Sequence, residues 1–268
     1  MEPVTLRVAA VALGALAGLG AMELAAGLPA RLGLASRRRP VVVGVVVLSA
    51  LGIAQVLAGV DGTLFEIVFP LVVHTALCAI VIAAATIDLD HLVLPNELTF
   101  GGAVLALATS PLRAVGLRSA AVGAVIGLAL TIVPFFLYRR LRGRSGMGLG
   151  DAKLAILAGA WLGAEGVVFV VFLGAIQSVL GGIALRASGR AYPIPASVVA
   201  EITDLRARAA KGDPAAAEEL ADDPMSIDAK DGLLSSRLPL GPFLALACIE
   251  VLFLRRWLVE HVLGWLTR

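Results

Sequence analysis

Cysteine and charge are both scarce in this chain. Only two cysteines occur, Cys78 and Cys248, each inside an apolar run, so the sequence predicts neither a disulfide framework nor a metal site. Charged residues make up 16% of the sequence and cluster between apolar segments. With a net charge of +2 and arginines at the ends of apolar runs, no nucleic-acid partner is predicted, and no cofactor either.

What the chain has instead is hydrophobicity, with 59% hydrophobic residues and a mean hydropathy of +0.93. Apolar runs of about 20 residues are long enough to cross a hydrocarbon layer of about 30 Å. We therefore predict an all-α, polytopic integral membrane protein, with residues 1–268 forming one membrane-embedded domain. About eight spans are expected, the first of them a retained span rather than a signal peptide. The candidates are 8–30, 41–59, 67–87, 98–110, 119–138, 152–163, 166–186 and 239–256.

Basic residues predict the orientation of these spans, because Lys and Arg are enriched in cytoplasmic loops. Eight spans place the arginine-rich loops 31–40 and 139–153 on one side, together with the loop 88–97. The acidic loops 60–66 and 163–166 fall on the other side. We expect the arginine-rich side to face the cytoplasm. Four arginines depart from the pattern: Arg113, Arg118, Arg255 and Arg256.

Residues 187–238 form a polar, alanine-rich insertion in which acids outnumber bases from Glu201 to Asp231. Gly212 to Pro214 are typical of a helix break, so one or two short helices are expected. We interpret the insertion as a solvated cytoplasmic segment. The alternative is a docking surface for a basic partner segment.

A first aspartate site lies in the stretch AATIDLDHLVLPNELTF. Asp88 directly follows an apolar run, and Asp90 and His91 come next. Pro95 cannot continue a helix and Asn96 is a good N-cap, so the pattern predicts a helix, a short turn and a second helix. Asp88 is expected at the helix end. Asp90 and His91 are interpreted as turn residues that modulate Asp88 rather than as metal ligands, because no second cluster completes a ligand set.

A second aspartate site lies in GMGLGDAKL. Gly146, Gly148 and Gly150 allow positive φ angles and the close approach of another chain. Asp151 then opens the next helix, where the helix dipole favours a negative charge. Lys153 places a positive charge nearby. Both aspartate sites fall on the same predicted face of the membrane.

Two carboxylates that converge on one water can perform hydrolysis together. Like charges held close do not both ionise easily, so the pair shares a proton. The ionised member activates the water, and the protonated member donates to the leaving group. This chemistry needs no serine, cysteine or metal.

These motifs carry a resemblance to a known family. Asp88, six further residues, Pro95 and Asn96, followed by GLGDAKL, resemble the type IV prepilin peptidases, which are GxGD-type intramembrane aspartic proteases. The stretch RLPLGPFLALACI also resembles the Pro-Phe-Gly-Pro segment that opens the family's last span, with Leu240 in place of the phenylalanine. The similarity covers roughly residues 65–187 and 237–254.

The resemblance implies removal of the basic leader of prepilins or pseudopilins, on the cytoplasmic side of a bacterial inner (plasma) membrane. Asp88 and Asp151 match the family's two catalytic aspartates, and Gly148 and Gly150 match its motif glycines. Lys153, Pro95 and Asn96 are expected beside the substrate's approach.

Larger family members carry paired CxxC motifs, linked to metal binding and N-methylation, in the loop that is 31–40 here. This loop contains no cysteine, so the sequence supports neither a zinc site nor methyltransferase activity.

Other interpretations of the acids remain open. Glu23, inside the first span, is expected to modulate catalysis or contact substrate, or else to pair with an arginine. A transporter would use the aspartates for proton or cation coupling, although the acids concentrate on one side. A catalytically silent component of a pilus or secretion system is the third interpretation.

Overall fold

The described residues of the computed structural model are 3–35, 37–58, 60, 62–142, 148–189, 192, 194–222, 239–258 and 260–261. They confirm the all-α prediction. The helices are α1 (Pro3–Arg31), α2 (Val41–Leu57), α3 (Leu64–His91), α4 (Asn96–Thr109), α5 (Gly116–Arg142), α6 (Leu149–Ala187), α7 (Ala196–Ala210), α8 (Pro214–Asp222) and α9 (Gly241–Leu258). A short 3-10 helix, Ser110–Leu112, joins α4 to α5.

Within the described part of the chain, four helices are long and apolar enough to cross a membrane: α1, α3, α5 and α6. Helix α2 is apolar but shorter. A helix satisfies all its backbone hydrogen bonds internally, which hydrocarbon requires. These helices fit the predicted polytopic membrane protein. The count of eight spans stays a prediction.

Helix α6 folds back on itself at Gly163, whose φ of 79° and ψ of −177° are essentially open only to glycine. Ala155, before this residue, and Val167, after it, both lie against Gly127 of α5. In a straight helix they would be about 18 Å apart. The chain therefore reverses direction at Gly163, and α6 consists of a first arm (149–162) and a second arm (164–187). The reversal falls between the predicted spans 152–163 and 166–186.

Glycines bring α5 and the first arm of α6 into backbone contact. A Cβ atom at Gly123 would overlap the carbonyl oxygen of Gly159, and a Cβ atom at Gly127 would overlap that of Ala155. Small residues serve this purpose between membrane helices, because they let backbones approach closely. The position of the first arm is thus fixed by contact with α5.

Arg113 and Arg255, two of the arginines that departed from the orientation pattern, have structural partners. Arg113 is only 7% exposed and donates hydrogen bonds to the carbonyls of Trp161, at 2.7 Å, and Ala106. These carbonyls lie in the last turns of the first arm of α6 and of α4, where helical partners run out. Arg255 forms an ion pair with Glu165 at 3.7 Å. Neither arginine is therefore an unpaired loop charge.

The polar insertion begins with two short helices, as predicted. Helices α7 and α8 are separated at Gly212, which has a φ of 89°. They pack on each other and bury Ile202, Leu205 and Ala216. Residues 223–238 of the insertion lie outside the described residues. The single-domain assignment and the cytoplasmic position of the insertion stay predictions.

Candidate functional site

Asp88 lies in the last turn of α3 and is 6% exposed. Leu92 ends the helix in the left-handed region, at φ 57°, and its N–H donates to the carbonyl of Asp88 at 2.9 Å. The chain then runs extended to Pro95, which is the N-cap of α4. The helix, turn and helix are as predicted, but the cap is not. Asn96 is the first residue of α4, because the fixed φ of proline suits the position before it.

Asp151 lies in the first turn of α6 and is 8% exposed. Gly148 is the N-cap, and its carbonyl accepts from the N–H of Asp151 at 3.2 Å. Its φ of −75° is open to any residue, so the expectation that this glycine uses a positive φ is wrong. Gly146 lies outside the described residues.

Leu94 connects the two aspartate sites. A Cβ atom at Gly150 would lie 3.3 Å from its Cδ1 atom, and a Cβ atom at Gly241 would lie 3.4 Å from it. Gly241, at the start of α9, is pressed so closely against Asp88 that a Cβ atom there would overlap Oδ2. The backbone N–H of Gly241 also interacts with the Asp88 carboxylate. We call this region, built from the end of α3 and the starts of α4, α6 and α9, the aspartate end of the bundle.

The structure brings Asp88 and Asp151 together at the aspartate end. They lie close enough to interact electrostatically. Each comes from a different helix, and each is buried. The arrangement provides two adjacent carboxylates from which water is largely excluded.

Lys153 and Asn96 form a second link between α6 and α4. The Nζ atom of Lys153 donates to Oδ1 of Asn96 at 2.8 Å. Pro95, next to this contact, is buried. These three predicted residues therefore lie at the aspartate end, where the lysine links the start of α6 to the start of α4.

The prediction that Asp90 and His91 are turn residues is wrong, because α3 continues to His91. Asp90 forms an ion pair with Arg39, which anchors the loop between α1 and α2 to the end of α3. His91 is buried at the same helix end. Glu23 pairs with Arg38 at 2.9 Å, and both side chains are more than half exposed. Glu23 therefore pairs with an arginine, which was one of the two roles predicted for it.

Tyr192, in the connection between α6 and α7, was not found by sequence reasoning. Its hydroxyl donates to the carbonyl of Leu89, the residue after Asp88. Burial, and then the charges of Asp88 and Asp90, raise the pKa of Tyr192, so the hydroxyl stays protonated and can donate at neutral pH. The available signal was its rarity, since the chain contains two tyrosines and this one directly precedes Pro193 in a polar segment.

Comparison with known families agrees with this geometry. Residues 75–184 match the model of the type IV leader peptidase family. Over these residues the chain is similar to that family. The matched segment contains both aspartates, and it ends before the polar insertion. The resemblance predicted from the two motifs is confirmed.

Several curated relatives are named prepilin leader peptidase/N-methyltransferase. The one from Xanthomonas campestris pv. campestris is 36% identical over 123 residues, covering 44% of this chain and 43% of the relative. The one from Aeromonas hydrophila is 32% identical over 167 residues, covering 60% and 54%. The one from Myxococcus xanthus is 27% identical over 213 residues, covering 71% and 64%. The chain thus spans about half the length of the first relatives it matches. No solved structure matches it significantly.

Proposed function

We propose that this protein is a membrane-embedded aspartic endopeptidase that removes the leader peptide of prepilin-like or pseudopilin substrates. The observation that carries the proposal is the pair of adjacent, buried carboxylates, Asp88 and Asp151, inside the segment that matches the leader peptidase family. The names of the relatives supply the substrate class.

In the proposed reaction, the two carboxylates share one proton, because neighbouring like charges in a buried site do not both ionise easily. The ionised member removes a proton from water, whose oxygen attacks the carbonyl carbon of the peptide bond. The protonated member donates its proton to the leaving nitrogen as the carbon–nitrogen bond breaks. The N-terminus of α6 favours negative charge on Asp151, and the N–H of Gly241 does the same for Asp88.

We further infer that the aspartate end faces the cytoplasm. Arg39 is held at this end by Asp90, and it belongs to the arginine-rich loop 31–40. Arginine-rich loops are retained on the cytoplasmic side. Arg113, which argued against this orientation, acts as an internal helix cap. The basic leader of a membrane-inserted substrate would then lie on the same side as the aspartates.

Co-expression with a prepilin-like substrate tests the proposal. We expect the full chain to shorten the substrate, and the double variant Asp88→Asn/Asp151→Asn to leave it intact. Mass spectrometry of the product should show an unmethylated new N-terminus, because the loop 31–40 contains no cysteine. Cleavage by the double variant would refute the proposed catalytic pair.

Tyr192→Phe is expected to slow cleavage about 2- to 12-fold and to lower the melting temperature by only about 1–6 °C. The variant loses the hydrogen bond to the carbonyl of Leu89, and one such bond contributes about 0.5–1.5 kcal/mol. We expect this loss to loosen the helix end that carries Asp88. Tyr138→Phe is the matched control, because it alters the other tyrosine of the chain, at an exposed position of α5. Equal rates for the two variants would exclude a positioning role for Tyr192.

A further inference from the structure

A cavity of about 400 Å³ lies at the end of the bundle opposite the aspartates. It is enclosed by α2, α3, α9 and the chain that follows the 3-10 helix. Most of its lining is apolar, and the larger side chains are Ile53, Leu57, Phe65, Phe69, Leu252 and Phe253. Its volume falls within the range of pockets that hold small organic ligands, about 300–1,000 Å³. The proposed hydrolysis uses none of these residues.

Arg113 brings a buried positive charge to this cavity. Its hydrogen bonds all go to backbone carbonyls, and among the described residues no carboxylate forms an ion pair with it. Its Nε–H is buried without a hydrogen-bond partner. Burial lowers the pKa of Arg113 to about 10, which still leaves the guanidinium charged at neutral pH. The carbonyls at the two helix ends offset part of this charge, and an anion in the cavity would offset more of it and accept from the unpartnered Nε–H.

His74 supplies a hydrogen-bond donor in the same cavity. The indole N–H of Trp161, which can only donate, reaches Nδ1 of His74 at 2.9 Å. Nδ1 is therefore the acceptor, and the proton of the neutral ring is on Nε2. His74 also lies near enough to Arg113 to interact with its charge electrostatically. The cavity is thus lined by one neutral hydrogen-bond donor, His74, and by one cation, Arg113.

Glu66 is the acid that lines this cavity, and its carboxylate is already engaged. It accepts from the N–H of Thr63 at 2.7 Å and from the Thr63 hydroxyl at 2.9 Å. Together with the bond from the N–H of Glu66 to Thr63, these contacts form a capping box at the start of α3. The carboxylate is therefore held at the helix start rather than against Arg113.

We propose that this cavity binds an anionic phospholipid. One acyl chain lies against Phe65, Phe69 and Phe253, and the phosphate faces Arg113 and His74. The cavity is at the end of membrane-crossing helices, where lipid chains meet their head groups, and a guanidinium forms strong charge-assisted hydrogen bonds with a phosphate. Free phosphate would offset the charge but leave the apolar walls unfilled. The inference does not depend on the proposed peptidase function.

Native mass spectrometry of the full chain in a neutral detergent tests the proposal. We expect one phosphatidylglycerol to bind at least tenfold more tightly than phosphatidylcholine and to raise the melting temperature. Val56→Trp and Ala114→Trp, which fill the cavity from two sides, should each weaken this binding at least tenfold. Val104→Trp is the matched control for Val56→Trp, because the two valines are similarly exposed, at 66% and 61%. Val104 lies on α4 and does not line the cavity.

Four outcomes would overturn the proposal. The first is equal binding of the two phospholipids, and the second is unchanged binding in both cavity-filling variants. The third is equal stabilisation by inorganic phosphate, which would indicate a simple anion site. The fourth is equal binding of an uncharged diacylglycerol, which would indicate an apolar pocket in which Arg113 and His74 play no part.

Discussion

Asp88→Asn and Asp151→Asn should each abolish leader cleavage as completely as the double replacement, by a factor of about 10³ or more. Asparagine preserves the size of the side chain but cannot take up or release the proton. The two carboxylates are buried and interact with each other, and Asp90, two positions after Asp88, is already paired with Arg39. When two residues act as one catalytic unit, replacing either one removes the activity of both. The rate losses of the two single variants are therefore expected not to add in the double variant.

The measurement is the cleavage rate of a prepilin-like substrate by each purified variant. Asp204→Asn is the control, because Asp204 is an exposed acid on α7 and its replacement also removes one charge. Both site variants are expected to melt at or above the temperature of the unmodified protein, since replacement relieves the repulsion between neighbouring carboxylates. A single variant that keeps a tenth of the rate would contradict the shared role of the pair.

Gly163→Ala is expected to destabilise the protein by about 2–6 kcal/mol. The φ of 79° and ψ of −177° at this position are strained for any residue with a side chain, at a cost of about 1–3 kcal/mol. The added Cβ atom would also lie 2.6 Å from Oγ of Ser119, and such overpacking costs about 1–3 kcal/mol more. The reversal of α6 depends on this glycine, so the yield of folded protein should fall sharply.

Gly101→Ala is the matched control for this change. Gly101 lies within α4, and an added Cβ atom there would meet nothing within 4 Å. Alanine is favoured over glycine in a helix by about 0.5–1 kcal/mol, so this variant should melt at the same or a slightly higher temperature. Thermal unfolding of both proteins in detergent provides the comparison. If they melted alike, α6 would not need glycine to reverse direction.

Much of the architecture could be predicted from the sequence, because hydrocarbon leaves few alternatives for an apolar run. Each backbone polar group must be satisfied within the segment, and a run of about 20 apolar residues therefore becomes a helix. The aspartate sites could be predicted for a similar reason. Pro95 and the glycines before Asp151 mark helix boundaries locally, and the structure places both aspartates at such boundaries.

Contacts between distant residues could not be predicted from local patterns. Arg113 binds the carbonyl of Trp161, 48 positions away, and Tyr192 binds the carbonyl of Leu89, 103 positions away. No helical period or capping rule links such positions. The choice of Pro95 over Asn96 as the N-cap was also open, since both residues suit the start of a helix.

In the proposed peptidase, a substrate would have to displace the apolar side chain of Leu94 to reach the aspartates. This side chain fills the space between Gly150 and Gly241, beside both aspartates, so a peptide that reaches them must take up this volume. In water, exposing a buried leucine would cost about 1.5–3 kcal/mol. Inside a bilayer, lipid tails are as apolar as the leucine side chain, so that penalty is largely absent. A site closed by Leu94 can therefore exclude water at rest and still open to an apolar helix that arrives through the membrane.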